Sequence, residues 1–492
     1  MDFKDFQSFA VNHNMIPVYE IITADLLTPV AAYLKFREKR KNSFLLESVE
    51  GIGRLARFSF IGGSPKKLIY NYGNQLFIDE AGETKLEQKD ILEYLSESIK
   101  GINYPQIEGL PDFSGGIVGY FGYENVSQIE NSITFEGNDK LEIPDSIFGF
   151  YDLLIAFDHF KHQIILIKNV RIDNNPELEN LYQSAKEELA RLRDELKNTY
   201  INDRFFELSN TNSEIKDKEK FIYDVNRCKK HITEGDVFQI VLSRRFEGEF
   251  RGDLLNVYRA LRIINPSPYM YFFEFANNIK IAGTSPEDLL KVKNNKATIL
   301  PIAGTRKRGK TDIEDSELEI DLMNDPKEIA EHTMLVDLAR NDLGRVCKFG
   351  SVNVIEDKSI TKFSHVMHIV SKVEGELAEG KNCIDALRAS FPAGTVTGAP
   401  KIKAIQLIDE IEDLKRNVYA GAAGYIDFRG NLDMCIAIRT LFAKENKLYW
   451  QAGAGIVADS KPELEYNEIH NKAAVILNAL KHAEVIDENI GN

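Results

Sequence analysis

Two stretches of this chain repeat one device. In DPKEIAEH, Glu328 and Glu331 stand three residues apart, and in LEYNEIH, Glu465 and Glu468 do the same. On a helix that spacing puts both carboxylates of each pair on one face, where they repel unless something neutralises them. A hard divalent cation such as Mg²⁺ would do so, keeping coordination positions for water and substrate oxygens. For either pair alone a solvated helix surface is the better reading. The apolar faces HTMLVDLA and AAVILNAL favour the metal, because helices that carry them must dock on a core.

Other residues could work beside such an ion. Arg439 lies in the apolar run MCIAIRTLF, alternating with Cys435 and Ala437, and a half-buried arginine needs an anionic partner such as a carboxylate. An edge residue pointing to water is the competing reading. GTVTGAPK (394–401) is a Gly/Thr-rich loop before an apolar helix, a place where backbone amides can hold an anion. Its spacing is not that of a phosphate-binding loop. In QAGAGIV (451–457), Gly453 and Gly455 permit a ligand to approach the backbone, or mark a bulge. His365 and His368 in HVMHIV lack a third soft ligand, so a single acid–base histidine or a core histidine fits better than a metal site. Glu287 in GTSPEDLL is either functional or a first-turn glutamate of a short helix. ILPIAGTRKRG reads as a core strand that ends in a Gly-Thr turn and a cluster of cations, followed by the acidic run TDIEDSELEID. Alternating charge blocks of this kind usually mark a solvated surface.

These residues need a scaffold. Residues 1–205 read as a strand-rich unit (NSFLLESV, KLIYNYGNQLFID, GGIVGYFGYE, FYDLLIAFDHFKHQIILIKNV) ending in the exposed helix PELENLYQSAKEELARLRDELKN. A polar stretch near 200–217 marks a boundary, and residues 217–489 form the second unit. That unit opens with the helix KEKFIYDVNRCKKHITEG and the strand DVFQIVLSRRFEGEF. Hairpins turn at Asn277-Asn278 and Asn294-Asn295. NVYAGAAGYIDFRG, NLDMCIAIRTLFAKEN and KLYWQAGAGIVADS form a three-strand meander before a terminal helix. Strands joined by hairpins, with helices in separate blocks, predict an α+β fold with antiparallel sheets.

The totals set limits. The chain has 492 residues, 43% hydrophobic and 28% charged, which is ordinary for a soluble protein of two or three domains. A net charge of −15 argues against general nucleic-acid binding. The four cysteines, Cys228, Cys347, Cys383 and Cys435, show no CxxC pairing and fit reduced thiols. No signal peptide opens the chain, and no stretch approaches the roughly 18 apolar residues that span a bilayer. A cytoplasmic protein that does not bind membranes is expected.

In order, PSPYMYFF, GTSPEDLL, LPIAGTRKRG, EIAEHTMLVDLARNDLGRV, KFSHVMHIVSKVEGEL, FPAGTVTGAPKIKAIQLIDE, YAGAAGYI, CIAIRT, QAGAGIV and ELEYNEIHNKA resemble the chorismate-utilising enzymes over about residues 217–485. SFLLESVEG resembles the tryptophan-regulatory element of the family's anthranilate-forming branch and extends the likeness to the first third. The resemblance implies a layered sandwich of two antiparallel β-sheets flanked by helices. It implies Mg²⁺ held by Glu331 and Glu468, with Glu328 and Glu465 in support, acting as a Lewis acid on chorismate. Glu287 matches a general acid for the departing 4-hydroxyl. Gly304, Thr305, Tyr419, Arg439, Gly453, Ala454, Gly455 and Lys472 match substrate-binding positions. His368 and Thr395 match residues that serve pyruvate elimination. Glu47, Ser48, Pro268, Tyr269, Met270 and Cys435 match a tryptophan pocket for feedback inhibition.

Two positions narrow the branch. Where the aminodeoxychorismate-forming relatives typically carry a nucleophilic lysine, this chain has Ala303, and where the water-using relatives carry a lysine base it has Gln239. Direct attack by ammonia is then implied, giving anthranilate in the first committed step of tryptophan biosynthesis. Ammonia would come from a separate glutamine amidotransferase subunit, in a heterotetramer. Aminodeoxychorismate formation and a non-catalytic tryptophan-binding regulator are the alternatives.

Overall fold

Strands covered on both faces, such as Gly116–Phe121 and Leu153–Asp158, build two sheets that face each other across a shared core. The computed structural model describes residues 1–48, 57–135, 141–173, 177–198, 204–212, 218–362 and 366–486. His365 and residues 49–51 of the N-terminal motif lie outside them. In spatial order the first sheet runs Met15–Thr23, Gln163–Arg171, Leu153–Asp158, Phe58–Gly62, Ser43–Glu47, Tyr269–Phe275, Ile279–Ser285, Thr440–Lys444, Lys447–Ile456, Gln239–Gly252 and Phe206–Asn212. The second runs Ile302–Lys307, Val366–Glu376, Lys296–Ile299, Asp288–Lys293, Leu432–Ile436, Ala422–Asp427, Gly116–Phe121, Ser146–Tyr151, Lys67–Tyr72, Gln75–Glu80 and Glu83–Gln88. Neighbouring strands along both orders are antiparallel.

Side chains from both inner faces, among them Phe44, Tyr151, Tyr271, Phe273, Val118, Tyr120, Ala423 and Cys435, fill the layer between the sheets. Helices Pro29–Arg37, Leu178–Asn198, Lys218–Glu234, Leu255–Ile264 and Pro462–Ala483 cover the outer face of the first sheet. Helices Ile91–Ile99, Pro326–Gly344 and Cys383–Ser390 cover that of the second. This is the α+β layered sandwich expected. The four cysteines are free and buried. Among the described residues no helix is long and apolar enough to cross a membrane.

Several local expectations change. The segment after residue 205 is not merely a polar connection, because Phe206–Asn212 pairs with Gln239–Gly252 as the edge of the first sheet. Both sheets also cross the division between the two units. Glu47 stands opposite Met270 in the first, and Tyr120 opposite Ala423 in the second. The helix Leu178–Asn198 is not wholly exposed: Tyr182, Ala185, Leu189, Leu192 and Leu196 bury a stripe against the first sheet. ILPIAGT is two strands, not one. Lys296–Ile299 and Ile302–Lys307 are separated at Leu300-Pro301 yet pair with the same strand, Val366–Glu376. The acidic run that follows is the helix Asp312–Asn324, capped by the Thr311 hydroxyl. Its carboxylates answer the cations: Arg306 Nε donates to Asp321 at 2.7 Å, and Arg308 and the Gly309 amide bind Asp315.

Candidate functional site

The expected meander does not stay in one sheet. After Leu432–Ile436 in the second sheet, residues 437–439 carry the chain into the first, where Thr440–Lys444 begins. Arg439 is therefore not an alternating strand residue. It ends the crossing at φ 49°, a left-handed conformation uncommon for any side chain but glycine. Beside it the chain crosses the other way, from Ile279–Ser285 to Asp288–Lys293, and Glu287 sits in that crossing rather than on a helix. Backbone hydrogen bonds tie the crossings together, from Thr284 N–H to the Arg439 carbonyl at 3.2 Å and from Ile436 N–H to the Glu287 carbonyl at 3.0 Å.

The pairing of these two side chains is chemically pointed. Glu287 is partly covered from solvent but densely surrounded by protein atoms, and burial pushes its carboxyl up to about 7. The Thr395 hydroxyl, Arg439 and Lys472 hold it lower than burial alone would. The Arg439 guanidinium is half-buried and has no hydrogen-bond or ion-pair partner among the described residues; the opposing charge that acts on it is Glu287. Thr395 Oγ1 lies toward Glu287, yet it is a buried polar atom that no group among the described residues meets at full hydrogen-bonding geometry. A protonatable carboxyl, an unpaired cation and an unsatisfied hydroxyl thus share one cleft, which is what an anionic, oxygen-rich ligand would complete.

Glycines let the walls close in. A Cβ on Gly453 would stand 2.7 Å from the Tyr419 hydroxyl and 3.1 Å from the Leu242 carbonyl. One on Gly455 would stand 2.6 Å from Gln239 Nε2. In the register Ser243 faces Gly453, Leu242 faces Ala454 and Val241 faces Gly455. The loop expected to hold an anion through its amides is tied to the segment 238–241 through its carbonyls: Phe238 N–H donates to the Ala399 carbonyl at 2.7 Å and Val241 N–H to the Thr397 carbonyl at 2.8 Å. Lys472 Nζ donates to the Gly453 carbonyl at 2.9 Å and pairs with Glu468 at 2.7 Å.

The two acidic helices come from opposite sheets. Pro326–Gly344 lies on the second and Pro462–Ala483 on the first, and their glutamates meet across the cleft. Glu331 is raised by burial, then by Glu328 and by Glu468 on the other helix, and eased by Lys327 and Lys472. Glu465 is raised by burial and by Glu468. An all-oxygen donor set whose members repel one another suits a hard cation such as Mg²⁺. The four do not close into a tight group. Among the described residues the one tight group is His231, Glu234 and Asp236, at the end of Lys218–Glu234.

His368 and the Gly-Thr turn sit together. The register slips between Ala303, opposite Ile369, and Thr305, opposite His368, so Gly304 forms a bulge at φ 70°. A Cβ there would stand 3.2 Å from Glu328 Oε2. His368 Nδ1 lies 2.9 Å from the Gly304 carbonyl and 3.0 Å from Thr305 Oγ1. The carbonyl can only accept, which assigns the proton to Nδ1 and makes Nε2 the basic nitrogen. Burial and the neighbouring Arg439 push the imidazole below its usual value, toward the neutral form.

Five of the six residues matched to a tryptophan pocket lie on or next to one strand pair of the first sheet, and Cys435 lies on Leu432–Ile436 of the second. Glu47 and Met270 face the outer helices, where Glu47 accepts from Tyr258 Oη at 2.6 Å and pairs with Arg262 at 3.2 Å. Tyr269 and Cys435 face the layer between the sheets. Ser48 and Pro268 extend the same two strands by one residue each.

Residues 41–478 match the family described as chorismate binding enzyme. The chain belongs to that family. This chorismate-binding chain is 44% identical, over 96% of its length and 97% of the relative's, to anthranilate synthase component 1 of Acetivibrio thermocellus. It is 42% identical to that of Aquifex aeolicus, over 99% of both. Its structure aligns with the crystal structure of anthranilate synthase component I from Streptococcus pneumoniae TIGR4 at a TM-score of 0.74 and 38% identity, covering 92% of this chain and 98% of that one.

Sequence reasoning passed over one group behind the site of this family member. Arg416 and Glu412, in the unremarkable run IEDLKRNVYAG, are almost wholly buried and paired at 2.7 Å. Their spacing of four on charged-looking sequence reads as surface, and only the fold encloses them.

Proposed function

We propose that this chain is an anthranilate synthase component 1, which joins ammonia to chorismate and releases pyruvate. The observation that carries the reading is Arg439: a half-buried, unpartnered guanidinium beside a protonatable Glu287, in a family that binds a dicarboxylate. Full-length likeness to proteins of that name supports it.

In this reading Arg439, Tyr419, Lys472 and the Gly453–Gly455 amides hold the substrate carboxylates, and Gly304 and Thr305 line the ring. Glu287, poised near neutral pH, gives its proton to the 4-hydroxyl, which leaves as water. Ala303 and Gln239 offer neither a nucleophile nor a strong base, so ammonia itself attacks C2 and sheds a proton. In the second step the bond to the enolpyruvyl oxygen breaks as the C2 proton is removed, with His368 Nε2 the base and Thr395 beside it. Glu331 and Glu468, supported by Glu328 and Glu465, would hold Mg²⁺, whose charge would offset that of the ring carboxylate.

The reading carries a partner and a regulator. A component 1 works with a second component, here a glutamine-hydrolysing subunit that supplies ammonia, in a heterotetramer in the cytoplasm. Tryptophan would inhibit through Glu47, Ser48, Pro268, Tyr269, Met270 and Cys435. Mixing the purified chain with chorismate, Mg²⁺ and ammonium should give anthranilate fluorescence. A non-fluorescent aminated product that keeps its pyruvyl group, or unconsumed chorismate, would overturn the reading.

A further inference from the structure

Arg416 is 1% exposed at its side chain, and every arm of it is engaged. Nε donates to Glu412 Oε2 at 2.9 Å and Nη2 to Glu412 Oε1 at 2.7 Å. Nη1 donates to the Val396 carbonyl at 2.6 Å, and Nη2 also to the Val241 carbonyl at 2.7 Å. The guanidinium lies 4.8 Å from the centre of the Tyr123 ring and 5.7 Å from that of Tyr419. Glu412 in turn accepts from the Ser243 amide at 2.7 Å and its hydroxyl at 2.8 Å. Glu124 takes the Arg416 and Asn417 amides at 2.7 and 2.9 Å.

Apart from Tyr419, none of these groups is assigned to substrate or to catalysis, yet the two carbonyls and Ser243 each neighbour a group that is. Val396 follows Thr395. Val241 and Ser243 stand opposite Gly455 and Gly453. Tyr419 is itself in the site. An ion pair at this depth is a poor source of stability, because desolvation offsets the attraction, whereas a planar fork that fixes two carbonyls on separate elements is a strong geometric constraint. We propose that Arg416 is a positioning residue for the chorismate reaction: it clamps the turn bearing Thr395 to the strand behind Gly453 and Gly455, setting the Thr395 hydroxyl against Glu287. The catalytic consequence rests on the function proposed above; the clamp does not.

Arg416→Gln alone leaves Glu412 buried and unpaired, so the variant to measure is Arg416→Gln with Glu412→Gln, which removes both charges and keeps an acceptor for Ser243. Amide hydrogen exchange tests the clamp without any turnover. Exchange in residues 393–399 should speed up tenfold or more while helix 255–264 stays at the parent rate. Turnover tests the consequence. kcat should fall at least tenfold with a smaller change in KM for chorismate. The alkaline limb of kcat should move to higher pH, because Glu287 loses the hydroxyl that holds its pKa down. Thr395→Ala should give the same displacement, and combining the changes should add no more. Arg416→Lys keeps the charge and reaches one carbonyl, so its exchange and kcat should lie between those of parent and double variant, even if the double variant fails to fold. Unchanged exchange at 393–399 in a folded variant would overturn the clamp. An unmoved alkaline limb, or one fully additive with Thr395→Ala, would overturn action through Thr395. If the parent itself makes no anthranilate, the function fails while the exchange result still decides the clamp.

Discussion

Glu287, the proposed general acid, shows how a residue placed for chemistry would cost stability. Burial raises its carboxyl from an ordinary value to about 7, so the folded chain holds a proton there that the unfolded chain has released by pH 6. The stability this contributes is complete below the unfolded pKa and is lost as pH climbs through about 7. Glu287→Gln should therefore abolish turnover and, at pH 8, raise the unfolding free energy by ~1–3 kcal/mol, with little gain at pH 5. Denaturant titrations at both pH values check this, and a variant less stable than the parent at pH 8 would show that the cleft needs the charge. The helix glutamates make a different claim. Glu331 is raised by burial and then by like charges on its own helix and on the facing one, so removing one charge relieves repulsion while it removes a proposed ligand. Glu331→Gln and Glu468→Gln should each cut turnover by at least a hundredfold at low Mg²⁺ and leave the fold intact by circular dichroism. Near-parent rates in either variant at low Mg²⁺ would take that residue out of the metal site.

At the scale of elements, the site depends on where backbones can touch. Gly453 lies in a strand, where alanine is ordinarily no worse than glycine and often better. Here the added methyl would meet the Tyr419 hydroxyl at 2.7 Å and the Leu242 carbonyl at 3.1 Å, and the paired strand behind it has little room to yield. Gly453→Ala should thus cost ~1–3 kcal/mol as overpacking and raise KM for chorismate about tenfold or more, with a smaller change in kcat. A stabilised variant with unchanged KM would separate Gly453 from the substrate wall. The elements themselves were largely legible. The Asn277-Asn278 and Asn294-Asn295 hairpins, the helix stopped at Gly235 and the docked glutamate helices follow from local turn chemistry and periodicity. What local pattern could not carry was any change of sheet. MCIAIRTLF keeps a strand's alternation through Ala437–Arg439 although the chain is crossing between sheets there, because both sides of the crossing are buried. Pro301 likewise interrupts a strand whose two halves share one partner, and nothing in ILPIAGT marks that the pairing resumes.

For the whole molecule, the missing information was long-range pairing. Segments far apart in sequence, Ser43–Glu47 and Tyr269–Phe275, are adjacent strands, so the first third of the chain is built into the sheet that carries the proposed substrate wall. This gives the proposed regulation a physical route. Glu47 is held by Tyr258 and Arg262 on the helix Leu255–Ile264, and that helix packs on Pro462–Ala483, which bears Glu465, Glu468 and Lys472. A ligand ammonium drawn to Glu47 would compete with those two holds, and any shift of the first helix is felt by the second. Ser48 and Met270 flank Glu47 along and across the strand pair, on segments that carry none of the proposed catalytic groups. Ser48→Ala with Met270→Ala should therefore raise the tryptophan concentration needed for half-inhibition about tenfold or more and leave uninhibited turnover within about twofold. Because coupling is reciprocal, the factor by which tryptophan weakens chorismate binding must equal the factor by which chorismate weakens tryptophan binding. Calorimetric titration of each ligand with and without the other measures both factors. Equal factors near one in the parent would mean that tryptophan, if it binds, does not speak to the site. Unchanged inhibition in the double variant would place the effector elsewhere than beside Glu47.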